Sequence, residues 1–241
     1  MSQSARQVDY YRDAVERLRR FSGDASHQLR TPLAAMRSIG EVTLSRERSP
    51  EEYRQALANM LEAVQRLTRV TDQLLRLARL ERTEVQATFH LVDAGQVARQ
   101  TAEIFRPLCE EKGIEFRVEV QDGLQVSGHE ELLMEMLANL LDNALRVTPG
   151  GGTILLQVAL SDAGSGQVLL TVADTGPGIS PDLTERIFEL FAQVPGAKTA
   201  GAGLGLAIVA AIAKVHGGSV GLVPMPAHGA TFQIRIPVRQ A

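Results

Sequence analysis

The chain of 241 residues contains no tryptophan, and only 4% of its residues are aromatic. Its core must therefore be built mainly from leucine, valine, isoleucine and alanine, and the apolar fraction of 44% is sufficient for that. Cys109 is the single cysteine, so an internal disulfide framework is excluded. No apolar run approaches the ~20 residues of a membrane-spanning helix, and no secretory leader is visible. We expect a soluble chain of one large or two small domains.

The net charge of −3 is unevenly distributed. Residues 1–82 hold 15 arginines against 11 acidic residues, whereas residues 83–241 are net negative. A basic first third is explained either by an acidic partner or by a solvated helix surface, and charge alone favours the second explanation. We therefore expect no nucleic-acid partner.

The first segment has an apolar seam that advances by alternating steps of three and four residues. This spacing predicts one long helix over about residues 5–46. Within it, His27 falls near the most exposed heptad position, and Pro32 interrupts the helical pattern and frees the carbonyl of Gln28. A lone exposed histidine is usually a solvated surface residue, so the downstream sequence has to decide whether this one has a function.

The run Ser-Pro-Glu-Glu from residue 49 predicts the start of a second helix. Ser49 is a good N-cap, Pro50 suits the first helical position, and Glu52 completes a capping box. The helix continues to about Arg82, with an apolar stripe wider than a two-helix contact needs. A helical hairpin with surplus apolar surface is best covered by a second copy. We therefore predict a dimeric four-helix bundle, with the homodimer formed through residues 5–82.

Helices and strands interleave after a short linker at residues 83–88. The predicted order is a strand at 89–92, a helix at 93–112, strands at 114–120 and up to 126, a helix at 130–146, strands at 153–160 and 167–173, a short helix at 181–191, a helix at 203–216 and a strand pair at 218–223 and 230–237. This order predicts an α/β sandwich of one sheet with helices on one face. The predicted organisation is thus a hairpin domain at 1–82, the linker, and a second domain at 89–241.

The helix at 130–146 carries Glu135, Asn139 and Asn143 at steps of four, so these side chains share one face. The opposite face is apolar, and buried amides need partners. A Mg²⁺ ion with its waters and phosphates would supply them, since Mg²⁺ takes oxygen ligands. The alternative is an ordinary cap or inter-helix hydrogen bond.

Two glycine-rich runs follow. The run from Asp174 to Ile179 ends a strand, and its carboxylate could accept from an exocyclic amine such as that of adenine. The run from Gly201 to Leu206 opens a helix whose free amides suit phosphate. Neither run is specific alone. The second is not a dinucleotide fingerprint, because it lacks the preceding strand, and it is not a Walker loop, because no Gly-Lys-Ser/Thr follows.

Taken together, the order and spacing of these motifs resemble the histidine kinases of two-component signalling. The matching blocks are the H box at 21–33, the N box at 135–144, the first glycine box at 174–179, the F box at 186–191, the second glycine box at 201–209 and the closing strand signature at 229–232. Heat-shock chaperones, type II topoisomerases and mismatch-repair ATPases share the nucleotide fold but lack the H box. The resemblance covers nearly all of residues 10–238. It implies a helical hairpin followed by an α/β sandwich of the histidine-kinase/chaperone/topoisomerase ATPase type.

The resemblance also implies an ATP site between the helices at 130–146 and 203–216, under a mobile loop at 192–202. The implied nucleotide-site residues are Asn139, Asn143, Arg146, Asp174, Gly176, Gly178, Lys198, Gly201, Gly203, Leu204, Gly205 and Thr231. Asp174 would bind the adenine amine, with Thr231 assisting through water. Asn139 and Asn143 would hold Mg²⁺ and the phosphates.

His27 is the phosphoacceptor that the resemblance implies, and an aspartate of a response-regulator protein is the onward acceptor. Gln28 stands where the family usually has an acidic base, so we expect slowed autophosphorylation. In the family, a residue at the position of Thr31 orients water for dephosphorylating the partner. The alternative for Thr31 is a hydroxyl bonded back to a carbonyl one turn earlier.

Two further departures concern the nucleotide site. Val147 replaces a customary aromatic residue, which predicts lower ATP affinity. Gln193 stands where an arginine is common; either Gln193 or Lys198 substitutes for it, or these are solvated residues of the loop. The competing interpretation is therefore a dimeric ATP-binding scaffold with weak or no kinase activity. We further expect a cytoplasmic fragment, without membrane contact of its own, from a parent sensor kinase in the cell membrane.

Overall fold

The computed structural model describes residues 23, 25–26, 29–80, 88–161, 166–184, 186–192, 203–223 and 229–238. The chain divides into two compact units, residues 1–75 and residues 76–241. Apart from Thr88, the predicted linker lies outside the described residues, so its bounds stay a prediction. None of the helices in the described part of the chain combines the length and the hydropathy that crossing a membrane requires.

The first unit contains two helices, as predicted. The described part of α1 is helical over residues 29–44, and α2 runs from Pro50 to Leu80, so its last residues lie in the second unit. The capping box is confirmed, because the Ser49 N–H donates to Glu52 Oε2 at 2.8 Å and the Glu52 N–H donates to Ser49 Oγ at 3.3 Å. Arg48 closes the loop by donating to the Val42 carbonyl, a terminal acceptor of α1, at 2.7 Å.

The second unit is built on a five-stranded sheet with strand order β2-β4-β5-β7-β6, and a separate sheet pairs β1 with β3. The strands are β1 His90–Asp93, β2 Glu115–Val120, β3 Gln125–Gly128, β4 Thr153–Leu160, β5 Gln167–Asp174, β6 Ser219–Leu222 and β7 Ala230–Pro237. The helices are α3 Ala94–Glu111, α4 Glu130–Val147 and α5 Gly205–Val215. Among the strand pairs of the described residues, β2 and β4 are parallel and the others are antiparallel.

Alternation along the strands directs one face of the large sheet into the core. On that face β4 contributes Ile154, Leu156 and Val158, β5 contributes Val168, Leu170 and Val172, and β7 contributes Phe232, Ile234 and Ile236, all of them buried. Helix α4 buries Leu133, Met136, Leu137, Leu140, Leu141 and Ala144 in the same core. This packing fixes the rotation of α4 about its axis, and so fixes where its polar face points.

Two predicted details differ from the structure. The short strands β1 and β3 pair with each other in a second sheet instead of extending the large one. The helix predicted at 181–191 is replaced, in the described residues, by two single 3₁₀ turns at Pro181–Leu183 and Arg186–Phe188. Tertiary packing explains the second difference, because Ile187 is buried and the Phe188 ring meets the edge of Phe232 at 6.1 Å between centroids.

Candidate functional site

The polar face of α4 forms one side of the site. Glu135, Asn139 and Asn143 are all half-buried, as their spacing predicted. The Asn139 Nδ2 donates to the carbonyl of Glu135 at 2.9 Å, which fixes the amide. Its Oδ1 lies 3.1 Å from the point that a Cβ on Gly205 would occupy. The first residue of α5 therefore contacts the amide of α4 at a distance that leaves little space for a side chain.

The N-terminus of α5 lies beside this amide and has no side-chain cap. Leu204 occupies the capping position and is buried, and it supplies no hydrogen bond from its side chain. No described residue accepts a hydrogen bond from the first N–H groups of the helix, and together with the helix dipole these groups suit an anion. Gly203 approaches the helix with φ +71°, and a Cβ there would lie 2.6 Å from the Phe191 carbonyl carbon. The predicted contributions of Lys198 and Gly201 lie outside the described residues.

A buried carboxylate ends β5. Asp174 is only 6% exposed, and its Oδ1 accepts from the Gly176 N–H at 2.8 Å. Burial raises the pKa of the Asp174 carboxyl, while the backbone N–H groups of Gly176 and Ala230 oppose that rise. A carboxylate offers about four acceptor directions, so these bonds leave capacity for a ligand amine.

The turn after Asp174 has room for backbone only. A Cβ on Gly176 would lie 2.8 Å from Asp174 Oδ1 and 3.0 Å from Val147 Cγ2. Gly178 has φ +81°, and a Cβ there would lie 2.9 Å from the Gly229 carbonyl oxygen. The wall beside the carboxylate is therefore bare peptide, with the 42%-exposed side chain of Val147 at its edge.

The strand register separates Thr231 from this carboxylate. Ala230 lies directly opposite Asp174, whereas Thr231 lies opposite Ala173. Because successive side chains on a strand alternate between faces, Thr231 projects to the other face of the sheet. Its Oγ1 is buried and finds no hydrogen-bond partner among the described residues. Ala230 is therefore the residue of β7 that faces the core beside Asp174, and the role of Thr231 through water stays a prediction.

Arg146 pairs with a neighbour on its own helix, and its predicted contact with a phosphate stays a prediction. Its guanidinium forms an ion pair with the carboxylate of Asp142, one turn earlier on α4. The Glu135 carboxylate has a partner that the local sequence does not predict. Its Oε2 accepts a hydrogen bond from Arg76 Nη1 at 2.6 Å. Arg76 is distant in sequence, so only the tertiary structure reveals this contact.

The phosphoacceptor segment belongs to the first unit. His27 and Gln28 lie outside the described residues, so their predicted roles stay predictions. Thr31 lies on α1 and is exposed.

The donor set fits a nucleotide and suits a metal only in part. Among the described residues, no group of three or more His, Cys, Asp or Glu side chains could hold a metal ion. Asn139 and Asn143 offer amide oxygens one turn apart on the same face of α4. Such a pair fits Mg²⁺ that is held jointly by protein and phosphate oxygens, which is the usual arrangement for this ion.

Two family models match the chain. The model described as "Histidine kinase-, DNA gyrase B-, and HSP90-like ATPase" matches residues 128–240, and the model described as "His Kinase A (phospho-acceptor) domain" matches residues 17–83. The "Sensor protein IrlS" of Burkholderia pseudomallei is 34% identical over 95% of this chain and 49% of its own. The chain therefore spans about half the length of the curated relatives it matches.

Solved structures agree. A full-length ShkA structure in complex with AMPPNP has 34% identity and a TM-score of 0.66, covering 90% of this chain and 45% of that one. The mycobacterial sensor histidine kinase MprB has 31% identity and a TM-score of 0.56, covering 63% of this chain and 100% of that one. With both of its domains matched in the expected order, the chain belongs to the two-component sensor histidine kinase family and carries the phospho-acceptor and ATPase domains of that family.

Proposed function

We propose that the chain transfers the γ-phosphoryl group of ATP to His27 and then to an aspartate of a response-regulator protein. The observation that carries the nucleotide part is the buried carboxylate of Asp174 beside a wall of bare backbone. The uncapped N-terminus of α5, in contact with Asn139, supplies a separate place for phosphates.

Each described residue has a stated task in this proposal. Asp174 accepts a hydrogen bond from the adenine amine, and Gly176 keeps the backbone close to the base. The N–H groups that open α5 bind phosphate oxygens. Asn139 and Asn143 hold Mg²⁺, which when bound neutralises charge on the phosphates.

In the chemical step, a neutral imidazole nitrogen of His27 forms a bond to the γ-phosphorus of ATP. At the same time, the bond breaks between the γ-phosphorus and the oxygen that bridges it to the β-phosphorus. ADP carries away the electrons of the broken bond, and the other ring nitrogen of His27 loses its proton. The amide oxygen of Gln28 can orient the imidazole but cannot hold that proton. Rate acceleration then comes from positioning and charge stabilisation.

A homodimer through residues 5–82 completes the proposal. Large apolar side chains of α2 are exposed in the single chain: Leu57 is 66% exposed, Leu61 57% and Leu75 57%. Burying such a face against a second copy is the way helical hairpins form four-helix bundles. The phospho-acceptor family match supports this arrangement. A monomer in sedimentation at micromolar concentration would contradict it.

The proposal also includes phosphatase activity toward the phosphorylated regulator, in which Thr31 orients the attacking water. Thr31→Ala is expected to slow dephosphorylation of the partner while leaving autophosphorylation intact. Unchanged dephosphorylation in that variant would remove Thr31 from the role. We also propose that the chain acts in the cytoplasm as part of a membrane sensor.

The deciding assay incubates the chain with γ-labelled ATP and Mg²⁺. A kinase gives an adduct that is labile in acid and stable in base, and His27→Ala abolishes it. Asp174→Asn removes the carboxylate that binds the amine and is expected to lower the adduct yield at limiting ATP. The second candidate, a dimeric ATP-binding scaffold, is favoured by Gln28 at the base position. A scaffold binds nucleotide and yields no adduct.

A further inference from the structure

We propose that Lys112 is a positioning residue for the adenine end of the nucleotide site. Its ammonium group holds the C-terminal end of α4, and that end supports the turn containing Asp174 and Gly176. The inference rests on the proposed nucleotide-binding function. Lys112 lies in none of the sequence motifs of the chain.

The ammonium of Lys112 faces the last carbonyls of α4. Its Nζ lies 2.5 Å from the Leu145 oxygen, 3.3 Å from the Thr148 oxygen and 3.5 Å from the Arg146 oxygen. The final carbonyls of a helix have no intrahelical donors, and a lysine offers three. The positive charge also lies at the negative end of the helix dipole. Lys112 thus closes α4 from outside the helix.

The backbone of Lys112 is fixed where the side chain begins. Lys112 caps α3, and its N–H donates to the Leu108 carbonyl at 3.3 Å. Gly113 then turns the chain with φ +66°, and its carbonyl accepts from the Gly151 N–H at 2.8 Å. The end of α3 is therefore joined to the loop that follows α4, which aims the lysine at its three acceptors.

The end of α4 contacts the adenine turn directly. Val147 is the last residue of α4, and its Cγ2 and carbonyl oxygen lie 3.0 and 3.2 Å from the position of a Cβ on Gly176. The Gly176 N–H in turn donates to Asp174. If the last turn of α4 moves by a few tenths of an ångström, Gly176 therefore moves with it. The Asp174 carboxylate that would bind the base is then displaced as well.

A second contact runs through the loop after α4. Thr148 Cγ2 lies 2.5 Å from the position of a Cβ on Gly152, and Thr175 Oγ1 lies 2.8 Å from the same point. The Thr175 hydroxyl accepts from the Thr153 N–H at 2.9 Å. Thr175 directly follows Asp174 in the turn that ends β5. The carbonyl of Thr148 that Lys112 binds therefore belongs to a loop that packs near this turn.

The placement predicts an effect on base recognition and none on phosphate recognition. The phosphate end depends on Gly205 and Asn139, and Asn139 lies near the middle of α4, more than one turn before the carbonyls that Lys112 contacts. Removing the ammonium leaves the carbonyls of Leu145 and Thr148 without their donor and loosens the wall beside Asp174. The ratio between the affinity for ATP and the affinity for a nucleotide whose base has no amine should therefore decrease.

The test measures binding of ATP, ADP and inosine triphosphate to the full chain by titration calorimetry, in the wild type and in Lys112→Met. Inosine carries a carbonyl where adenine carries its amine. We expect Lys112→Met to weaken ATP binding about five- to tenfold, the scale of one ordinary hydrogen bond. Inosine triphosphate binding should stay unchanged, so the preference for adenine narrows by the same factor. The ratio of ATP to ADP affinity and the stoichiometry should also stay unchanged.

Lys112→Arg is expected to restore most of the preference, because it keeps the charge and several donors. Lys214→Met is the matched control, since Lys214 is exposed in the last turn of α5. If Lys112→Met does not fold, Lys112→Gln, which keeps a donor without the charge, takes its place. An unchanged preference for adenine, or a loss of stoichiometry with unchanged Kd values, would overturn the positioning role. Absence of ATP binding in the wild type would instead overturn the proposed function, and this inference with it.

Discussion

His216 makes the stability of the second unit depend on pH, in a direction that the structure determines. It follows the last residue of α5 and is 5% exposed. Its Nδ1 lies 2.8 Å from the Ile212 carbonyl oxygen, so Nδ1 carries the proton. Its Nε2 accepts from the His129 N–H at 3.1 Å, at the start of α4. The ring also stacks on Phe89 at 4.7 Å between centroids.

Protonation of Nε2 would break the bond to His129 and place a charge in the core. Burial lowers the pKa of His216 from its ordinary value of 6.5, with the nearby His129 acting in the same direction and the Ile212 carbonyl opposing both. The unfolded chain therefore takes up the proton first as the pH falls. Stability is fully present above the unfolded pKa and declines between about pH 6.5 and the lowered folded pKa, with a limiting slope of about 1.4 kcal/mol per pH unit.

The buried carboxyl of Asp174 acts with the opposite sign. Its raised pKa means that the folded state binds the proton first, so its contribution to stability rises as the pH falls. The pH dependence of the wild-type unfolding free energy therefore contains the contributions of both His216 and Asp174. The difference between the wild type and a His216 variant isolates the imidazole.

The assay is urea unfolding at about pH 7.5, 6.5 and 5.5, values that span the ordinary titration of histidine. Circular dichroism is the suitable probe, because the chain has no tryptophan and its 3 tyrosines all precede residue 76. His216→Phe keeps an aromatic ring beside Phe89 and cannot titrate, and His90→Gln is the control at an exposed position of β1. We expect the free-energy gap between wild type and His216→Phe to shrink as the pH falls, by up to about 1.4 kcal/mol per unit. A gap that stays constant would refute the reasoning, and His90→Gln should keep the wild-type slope.

Three further predictions follow from local geometry. Gly203→Ala places a Cβ 2.6 Å from the Phe191 carbonyl carbon at φ +71°, so we expect a loss of at least about 1–2 kcal/mol in urea unfolding together with weaker ATP binding by calorimetry. Ser49→Ala removes the hydroxyl that accepts from the Glu52 N–H, so thermal unfolding should show a loss of about 1 kcal/mol; an unchanged midpoint would show that the cap is dispensable. Gln28→Glu supplies a proton acceptor beside the phosphoacceptor, and the rate of label incorporation should rise. No gain in that rate would count against the account of the missing base.

Several features of the second unit follow from residues a few positions apart, and these could be predicted from the sequence. The Asp93 cap is one example, because Asp93 Oδ1 accepts from the Gln96 N–H at 3.0 Å. The shared face of Glu135, Asn139 and Asn143 is another, since it needs only the helical period. The alternation of β4, β5 and β7 likewise defines the buried face before any tertiary contact is known.

The register of β7 could not be derived in this way. The family resemblance implied that Thr231 assists Asp174 through water, and in the structure Ala230 is the residue directly opposite Asp174. A shift of one residue moves a side chain to the other face of a sheet. Strand composition alone does not set the pairing partner, because the register is decided by how the whole strand packs against β5.

The sequence by itself determined the family, the order of the elements and the local caps, because these depend on neighbouring residues and on the order of motifs. Only the tertiary structure decided that Arg76 meets Glu135 across 59 positions and that Lys112 meets Leu145 across 33. It also decided that Ile187 is buried within a 3₁₀ turn, Arg186–Phe188, instead of lying in a longer helix. Such contacts depend on how separate elements pack in space, and no periodicity in the chain encodes them.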